Sequence, residues 1–192
     1  MIKLGITGGI GSGKSVVGEL LSLYGVPVFI ADTEAKILTN TSTEIRTELI
    51  NLFGDDLYTE TGLDKKKLAY YIFNNQKLLQ TVNRIIHPEV GRSFRSWVDR
   101  QKGGICAIES AILFESGFDA LVDKTLSVYA PEEIRIRRVA GRDRISEETI
   151  RQRMKNQISE EIKKERSDFV IYNDDHTALI PQVHTVLSSL NQ

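Results

Sequence analysis

Cysteine is nearly absent: Cys106 is the single thiol in 192 residues. That excludes an internal disulfide framework and a cysteine-built zinc cage, and it suits a reducing compartment. An excess of either charge is lacking too. The 25 Lys+Arg and 26 Asp+Glu leave a formal charge of −1, which excludes a global basic field for non-specific nucleic-acid binding. No apolar run approaches the ~20 residues needed to cross a bilayer. Internal repeats and low-complexity linkers are missing. The chain opens on a short strand-like stretch and a glycine cluster, which does not read as a signal peptide. What is there is a composition of 41% hydrophobic residues, ample for one buried core at this length. These features point to a globular cytoplasmic protein, expected to be a monomer, with neither a membrane nor a nucleic-acid partner.

Hydrophobic periodicity orders the elements. Ile2, Leu4 and Ile6 alternate with Lys3, Gly5 and Thr7, predicting a first strand that Gly8 to Gly13 interrupts. Lys14 to Leu23 reads as a helix ended by Gly25, and Pro27 to Ala31 as a second strand. A helical block follows. Asp64 is placed to cap one long helix through Leu68, Ile72, Leu79, Val82 and Ile86. His87-Pro88 is expected to break it, with Pro88 starting the next helix through Val90, Phe94 and Trp97. Ile105 to Ile108, Leu126 to Ala130 and Phe169 to Tyr172 predict three more strands. Ser146 is placed to cap one helix carrying Ile150, Met154, Ile158 and Ile162. Strands alternating with helices predict an α/β fold with a parallel sheet.

Gly8-Gly9-Ile10-Gly11-Ser12-Gly13-Lys14-Ser15 matches G-x-x-x-x-G-K-[ST] between a predicted strand and a predicted helix. Each part has a physical job. Glycines admit positive φ and close approach to phosphate. Successive amides form an anion nest, and the helix start adds its own unpaired N–H groups. Lys14 reaches β- and γ-phosphates, and the Ser15 hydroxyl can ligate Mg²⁺. No guanine-reading N-K-x-D is present. Glu109, after the third strand, is not a clean match to the Asp-Glu of oligomeric ATPases. The short chain with a separate arginine-rich helical segment favours a small-molecule kinase.

Asp32 follows the second strand, at the sheet edge where α/β ligands bind. It can accept the proton of an attacking hydroxyl, hold Mg²⁺ through water, or cap the helix that Thr33-Glu34-Ala35 begins. Arg135, Arg137, Arg138, Arg142 and Arg144 fall within ten residues. They can neutralise phosphate, with Gly141 placed as a hinge, or form a solvated face paired with Glu132, Glu133 and Asp143. Residues 131–166 hold 11 basic and 8 acidic side chains, too balanced for a phosphate-backbone footprint. Cys106 and Trp97 read as packing residues.

In this order along the chain, the residues resemble dephospho-CoA kinases. The similarity lies in Gly5 to Ser15, Asp32, His87-Pro88-Glu89-Val90, Leu113-Phe114-Glu115-Ser116, Arg138 with Arg142-Asp143, Gln157, and Asp168 to Asn173. Two positions depart from the family: Ile30 stands where a first acid is common, and Glu109 where Asp is usual. The resemblance implies a three-layer α/β/α P-loop NTPase fold with a five-stranded parallel sheet. It also implies a core of residues 1–31, 103–134 and 167–192, a helical acceptor-binding subdomain of residues 32–102, and a lid of residues 135–166. The implied reaction moves the ATP γ-phosphoryl group to the ribose 3′-hydroxyl of dephospho-CoA, the last step of coenzyme A synthesis. By resemblance Asp32 is the general base, Lys14 and Arg142 stabilise the moving group, and Ser15 holds Mg²⁺. Gly8, Gly9, Gly11, Ser12 and Gly13 would contact ATP, as would Lys14, Ser15 and Val16 at the helix start, with Arg138 above them. Thr7, Asp32, His87, Phe114 and Glu115 would face the acceptor, His87 being read equally as a helix-end hydrogen-bonding group. Another metabolite kinase of this fold, or a nucleotide-driven regulator that phosphorylates nothing, are the alternatives that acceptor-dependent turnover separates.

Overall fold

The computed structural model describes residues 1–73 and 75–191. The chain forms two compact units: residues 1–30 with 100–192, and residues 31–99.

The first unit is built on a parallel five-stranded sheet of β1 (Ile2–Thr7), β2 (Val28–Ile30), β5 (Ile105–Glu109), β6 (Lys124–Tyr129) and β7 (Phe169–Tyr172), in the order β2-β5-β1-β6-β7. Strand alternation assigns the faces. Leu4 and Ile6 of β1, Ile105 and Ala107 of β5, and Leu126 and Val128 of β6 are buried with Val17 and Leu21 of α1 (Lys14–Leu23) and Val183, Val186 and Leu190 of α9 (Leu179–Leu190). Gly5 faces the other way, where a Cβ would meet Leu113 at 2.8 Å and Val122 at 3.1 Å. Glu109 has the parity of Ile105 and Ala107, so β5 ends by aiming a carboxylate at α1. Helices α6 (Glu132–Asp143), α7 (Glu147–Met154) and α8 (Glu160–Arg166) complete this unit. Ile136, Val139 and Ile150 form a small apolar cluster there, against which Ile10 packs.

The second unit holds α2 (Ala31–Thr41), α3 (Thr43–Phe53), the hairpin strands β3 (Tyr58–Thr59) and β4 (Gly62–Leu63), α4 (Lys65–Ile72) and α5 (Gln76–Val98). Ile45, Leu49, Leu57, Tyr58, Leu68 and Val82 are its core. The Tyr58 hydroxyl donates to the Thr39 carbonyl at 2.8 Å, which satisfies the one polar atom that the buried ring carries.

Four expectations are corrected. First, α5 runs unbroken through His87-Pro88. One backbone bond is lost at Pro88, but Val82, Val90 and Phe94 lie buried along one continuous face and hold the helix together. The break falls earlier, where the Asn75 side chain accepts from Leu78 N at 3.0 Å and starts a new helix; Asn74, which the expected long helix included, lies outside the described residues. Second, the helix expected from Ser146 through Ile162 is two, because Ser159 caps α8 by accepting from Ile162 N at 3.3 Å. Third, the chain does not leave the helix at Gly141: α6 continues to Asp143 and turns at Arg144, in the left-handed region at φ 53°. Fourth, β2 ends at Ile30 and Ala31 already belongs to α2. The hairpin β3–β4 had no strong periodic signal, being two residues per strand.

Candidate active site

The loop from Gly8 to Ser15 leaves β1 and enters α1. Gly11 and Gly13 have φ of 82° and 88°, a region costly for residues with a Cβ. The loop is also crowded from outside: a Cβ on Gly11 would lie 2.5 Å from the Arg135 carbonyl oxygen. Its outward carbonyls are held. Asn173 Nδ2 donates to Ser12 O at 2.8 Å, and Arg138 Nη1 stands 3.5 Å from both Gly11 O and Ser12 O. Arg138 Nη2 reaches Asn173 Oδ1 at 3.1 Å, tying the two holders together. Peptide planarity sets each N–H opposite its carbonyl, so pinning Ser12 O outward turns the Gly13 amide inward, while the Ser12 amide donates to Gly9 O at 3.0 Å within the loop. Val16 and Val17 N both donate to Gly13 O, at 3.0 and 3.3 Å. Lys14 and Ser15 therefore present the first helix amides, which have no intrahelical acceptor.

Beneath the loop, Ser15 Oγ donates to Glu109 Oε1 at 2.9 Å, and Lys14 Nζ stands 3.9 Å from that oxygen. Glu109 is buried. A hydroxyl and a carboxylate in contact at a helix start suit Mg²⁺, which binds through one or two protein oxygens and takes the rest from phosphate and water. Gly18 keeps room for that carboxylate, since a Cβ there would lie 3.2 Å from Glu109 Oε2. Among the described residues, the hydroxyls of Thr7, Ser12 and Ser127 are buried without a hydrogen-bond partner. Thr7 and Ser127 are register partners on β1 and β6, so these hydroxyls belong to the floor of the loop.

The arginine-rich segment divides by task. Arg135 is buried, its Nε donating to Ala130 O at 3.1 Å. Arg137 and Arg138 both pair with Asp175, and the Arg138 bond is the main cause that holds the Asp175 carboxyl below its usual range. Arg142 lies 65% exposed and donates from Nε and Nη2 to Asp143 at 2.7 and 3.1 Å. That hydrogen bond lowers the Asp143 pKa and raises that of Arg142. Arg138 is thus gathered at the loop, whereas the bonds of Arg142 go to its own neighbour.

Of the residues expected to face an acceptor, Thr7, Phe114 and Glu115 lie in the same unit as the loop. Phe114 is buried under the Arg166 guanidinium, 4.2 Å from the ring centroid. Glu115 accepts from Ile158 N at 2.9 Å. Asp32 and His87 lie in the second unit. Asp32 is exposed in the first turn of α2, where the helix dipole favours its charge. His87 sits inside α5 rather than at a helix end, and burial pushes its imidazole pKa down.

Sequence reasoning missed two acceptors on the loop rim. Gly9 N donates to Glu160 Oε2 at 3.0 Å and Ile10 N to Gln157 Oε1 at 3.1 Å. Gln157 was noticed only as part of a resemblance. Glu160, following a serine cap, reads as an ordinary solvated first-turn acid, and nothing local marks its burial.

The family model described as dephospho-CoA kinase matches residues 2–178. A dephospho-CoA kinase of Bacteroides fragilis (strain YCH46) is 47% identical over 192 residues, covering 100% of this chain and 94% of its relative. The crystal structure of TT1252 from Thermus thermophilus superposes with a TM-score of 0.83 at 33% identity, covering 99% of this chain and 96% of that one. The dephospho-CoA kinase from Campylobacter jejuni gives a TM-score of 0.66 at 26% identity, covering 98% and 96%. With its phosphate loop, its sheet order and this match across nearly the whole sequence, the chain belongs to the dephospho-CoA kinase family.

Proposed function

We propose that the protein transfers the γ-phosphoryl group of ATP to the ribose 3′-hydroxyl of dephospho-CoA. The observation that carries the phosphoryl transfer is the Lys14–Ser15–Glu109 constellation beneath an anion-binding loop, and the family match supports dephospho-CoA as the acceptor. Inward amides and Lys14 would hold the β- and γ-phosphates, so that charge moving between oxygens meets fixed positive groups and needs no solvent reorganisation. Ser15 and Glu109 would hold Mg²⁺, which supplies neutralisation of phosphate charge when bound.

Asp32 would take the proton from the 3′-hydroxyl. It can act as base only when the acceptor oxygen lies within hydrogen-bond reach. Within residues 135–166, the expected lid, the exposed end of α6 with α7 would deliver Arg142 to the transferring group after release from Asp143, while Gln157 and Glu160 stay bonded to the loop. Arg138, already at the loop, would steady the nucleotide side. Within residues 31–99, His87 would contribute to acceptor binding, and residues 32–102 would form most of the acceptor-binding subdomain. Among the described residues no helix is long and apolar enough to cross a membrane. We infer a cytoplasmic monomer acting on diffusible small molecules, with no nucleic-acid partner.

The test is ADP release from ATP and Mg²⁺ with and without dephospho-CoA, with the product weighed by mass spectrometry. ADP formed only with the acceptor, and a product heavier by one phosphoryl group on the ribose, are expected. Acceptor-independent hydrolysis, or no turnover by folded ATP-binding protein, would overturn the assignment.

A further inference from the structure

Several groups outside the phosphate-loop motif converge under its rim. Glu160 accepts from Gly9 N at 3.0 Å and is itself buried. Lys163, one turn along α8, is wholly buried. Its ammonium donates to Ala111 O at 2.8 Å and stands 3.7 Å from Glu160 and 3.8 Å from Glu115. Glu115 closes the ring by accepting from Ile158 N at 2.9 Å, just after Gln157 takes the Ile10 amide. Arg135 Nη1 and Glu160 Oε1 both lie against the place where a Gly9 Cβ would sit.

This arrangement is expensive for a merely structural joint. Burying an ammonium and a carboxylate costs several kcal/mol per ion before their attraction is counted, and an apolar pair of similar volume often serves stability as well. Burial pushes the Lys163 ammonium toward deprotonation, against the pull of Glu115 and Glu160. The location gives the charges a use. Gly9 has no side chain to hold its peptide, and the neighbouring amides must converge on phosphate. A carboxylate clamped to the Gly9 amide fixes that peptide, yet an uncompensated negative charge there would repel the incoming triphosphate. A buried ammonium next to it removes the repulsion and leaves the clamp.

We propose that Glu160 and Lys163 are positioning residues for phosphoryl transfer: Glu160 fixes the Gly8–Gly9 peptide at the rim of the loop, and Lys163 holds and neutralises Glu160. Neither touches the reacting atoms. Misplacement of donors by about 1 Å costs on the order of 10²-fold in rate, so the effect falls on kcat and not on nucleotide affinity alone. The proposal rests on the kinase reaction above, and wild type is assayed beside every variant.

Glu160→Ala removes the clamp. Its kcat is expected to fall about 30-fold or more while the Kd for ATP changes less than about threefold. Glu160→Gln keeps an acceptor without charge and is expected to retain about a third of the wild-type kcat. Lys163→Met withdraws the ammonium from Glu160 and Glu115, leaving Arg135 as a remaining nearby cation, with an expected loss of about 10²-fold in kcat/KM for ATP. The double variant Lys163→Met/Glu160→Gln removes both charges and is expected to recover to within about fivefold of Glu160→Gln. A merely structural pair would lower melting temperature in both Lys163 variants without this rescue. Glu160→Ala with kcat within twofold of wild type, or a double variant no better than Lys163→Met, overturns the proposal. Should Glu160→Ala not fold, Glu160→Asp, which withdraws the carboxylate from Gly9, is judged by the same threshold. Wild type without acceptor-dependent turnover would instead defeat the reaction itself.

Discussion

The phosphate loop and the α6–α7 segment above it lie in one unit and are held by different physics. Around the loop the bonds are buried or partly buried and tie distant parts of the chain together: Ser15 to Glu109, Ser12 O to Asn173, and Gly9 to Glu160. Toward the end of α6 and along α7 the ties are exposed ion pairs, whereas nearer the start of α6 Arg135 is buried and Arg138 bonds the loop. Arg142 and Arg153 meet Asp143, and Arg151 meets Glu132 and Glu147. Beneath them lies the small cluster of Ile136, Val139 and Ile150, with Ile10, Ala140, Ile145 and Met154 packed against it. Buried hydrogen bonds hold geometry, whereas exposed pairs are worth about 0–1 kcal/mol each and exchange readily with solvent. The contrast is that expected between a preorganised site and a cover able to move over it.

Four variants would break or sharpen the contrast. Lys14→Met should have the largest effect, lowering kcat by about 10³-fold or more, because a charge meeting the transferring group is removed from a preorganised site. Single-turnover ADP formation reads it, and a loss under tenfold would remove Lys14 from the reaction. Arg142→Ala should lower kcat about 10²-fold while leaving the melting temperature within about 1 °C, since its pair with Asp143 is largely exposed. A normal kcat would separate the arginine-rich segment from the chemistry.

Asp168→Asn probes a fixed junction. Asp168 accepts from Lys124 Nζ at 2.9 Å and from Thr125 N and Oγ1 at 2.8 and 2.9 Å. Burial raises its pKa, but these bonds together hold the carboxyl below its ordinary value. With the folded value depressed, the stabilisation is complete above the unfolded pKa and is lost as pH falls through the folded one. After allowance for solvent screening, the variant should lose about 1 kcal/mol at pH 7, and the gap from wild type should close below about pH 4. Urea unfolding at both pH values measures it, and a gap widening in acid would contradict the assignment. Arg151→Ala should do least. Its two exposed pairs predict a barely measurable loss of stability, shrinking further in 1 M salt, with kcat unchanged. A large kcat effect there would extend the chemistry into α7.

The loop, its strand and its helix were legible because their requirements are local: glycines where φ is positive, and a lysine and serine at a helix start. Glu109 was legible as an acid after a strand, and its parity with Ile105 and Ala107 explains why it reaches Ser15. The helix breaks were read less well. His87-Pro88 carries a strong local signal, yet the buried face of Val82, Val90 and Phe94 overrides it, while the quieter Asn75 and Ser159 caps end the runs that periodicity had joined. Glu160 and Lys163 were not legible as site residues at all. They lie in a charge-rich stretch that reads as solvent-facing, and Glu160 meets its partner across 151 positions.

The alternation of strands and helices and the phosphate loop are thus properties of the sequence itself, because spacing and residue type decide them within a few turns of chain, and the kinase family is legible from motifs set in order along nearly all of it. Which acids and bases are buried, and which backbone amides they hold, only the tertiary structure decided. A carboxylate followed by a lysine three residues later is a common surface pair on a helix. It becomes a clamp under the phosphate loop only when packing excludes water from both charges and leaves the Gly9 amide as the nearest donor.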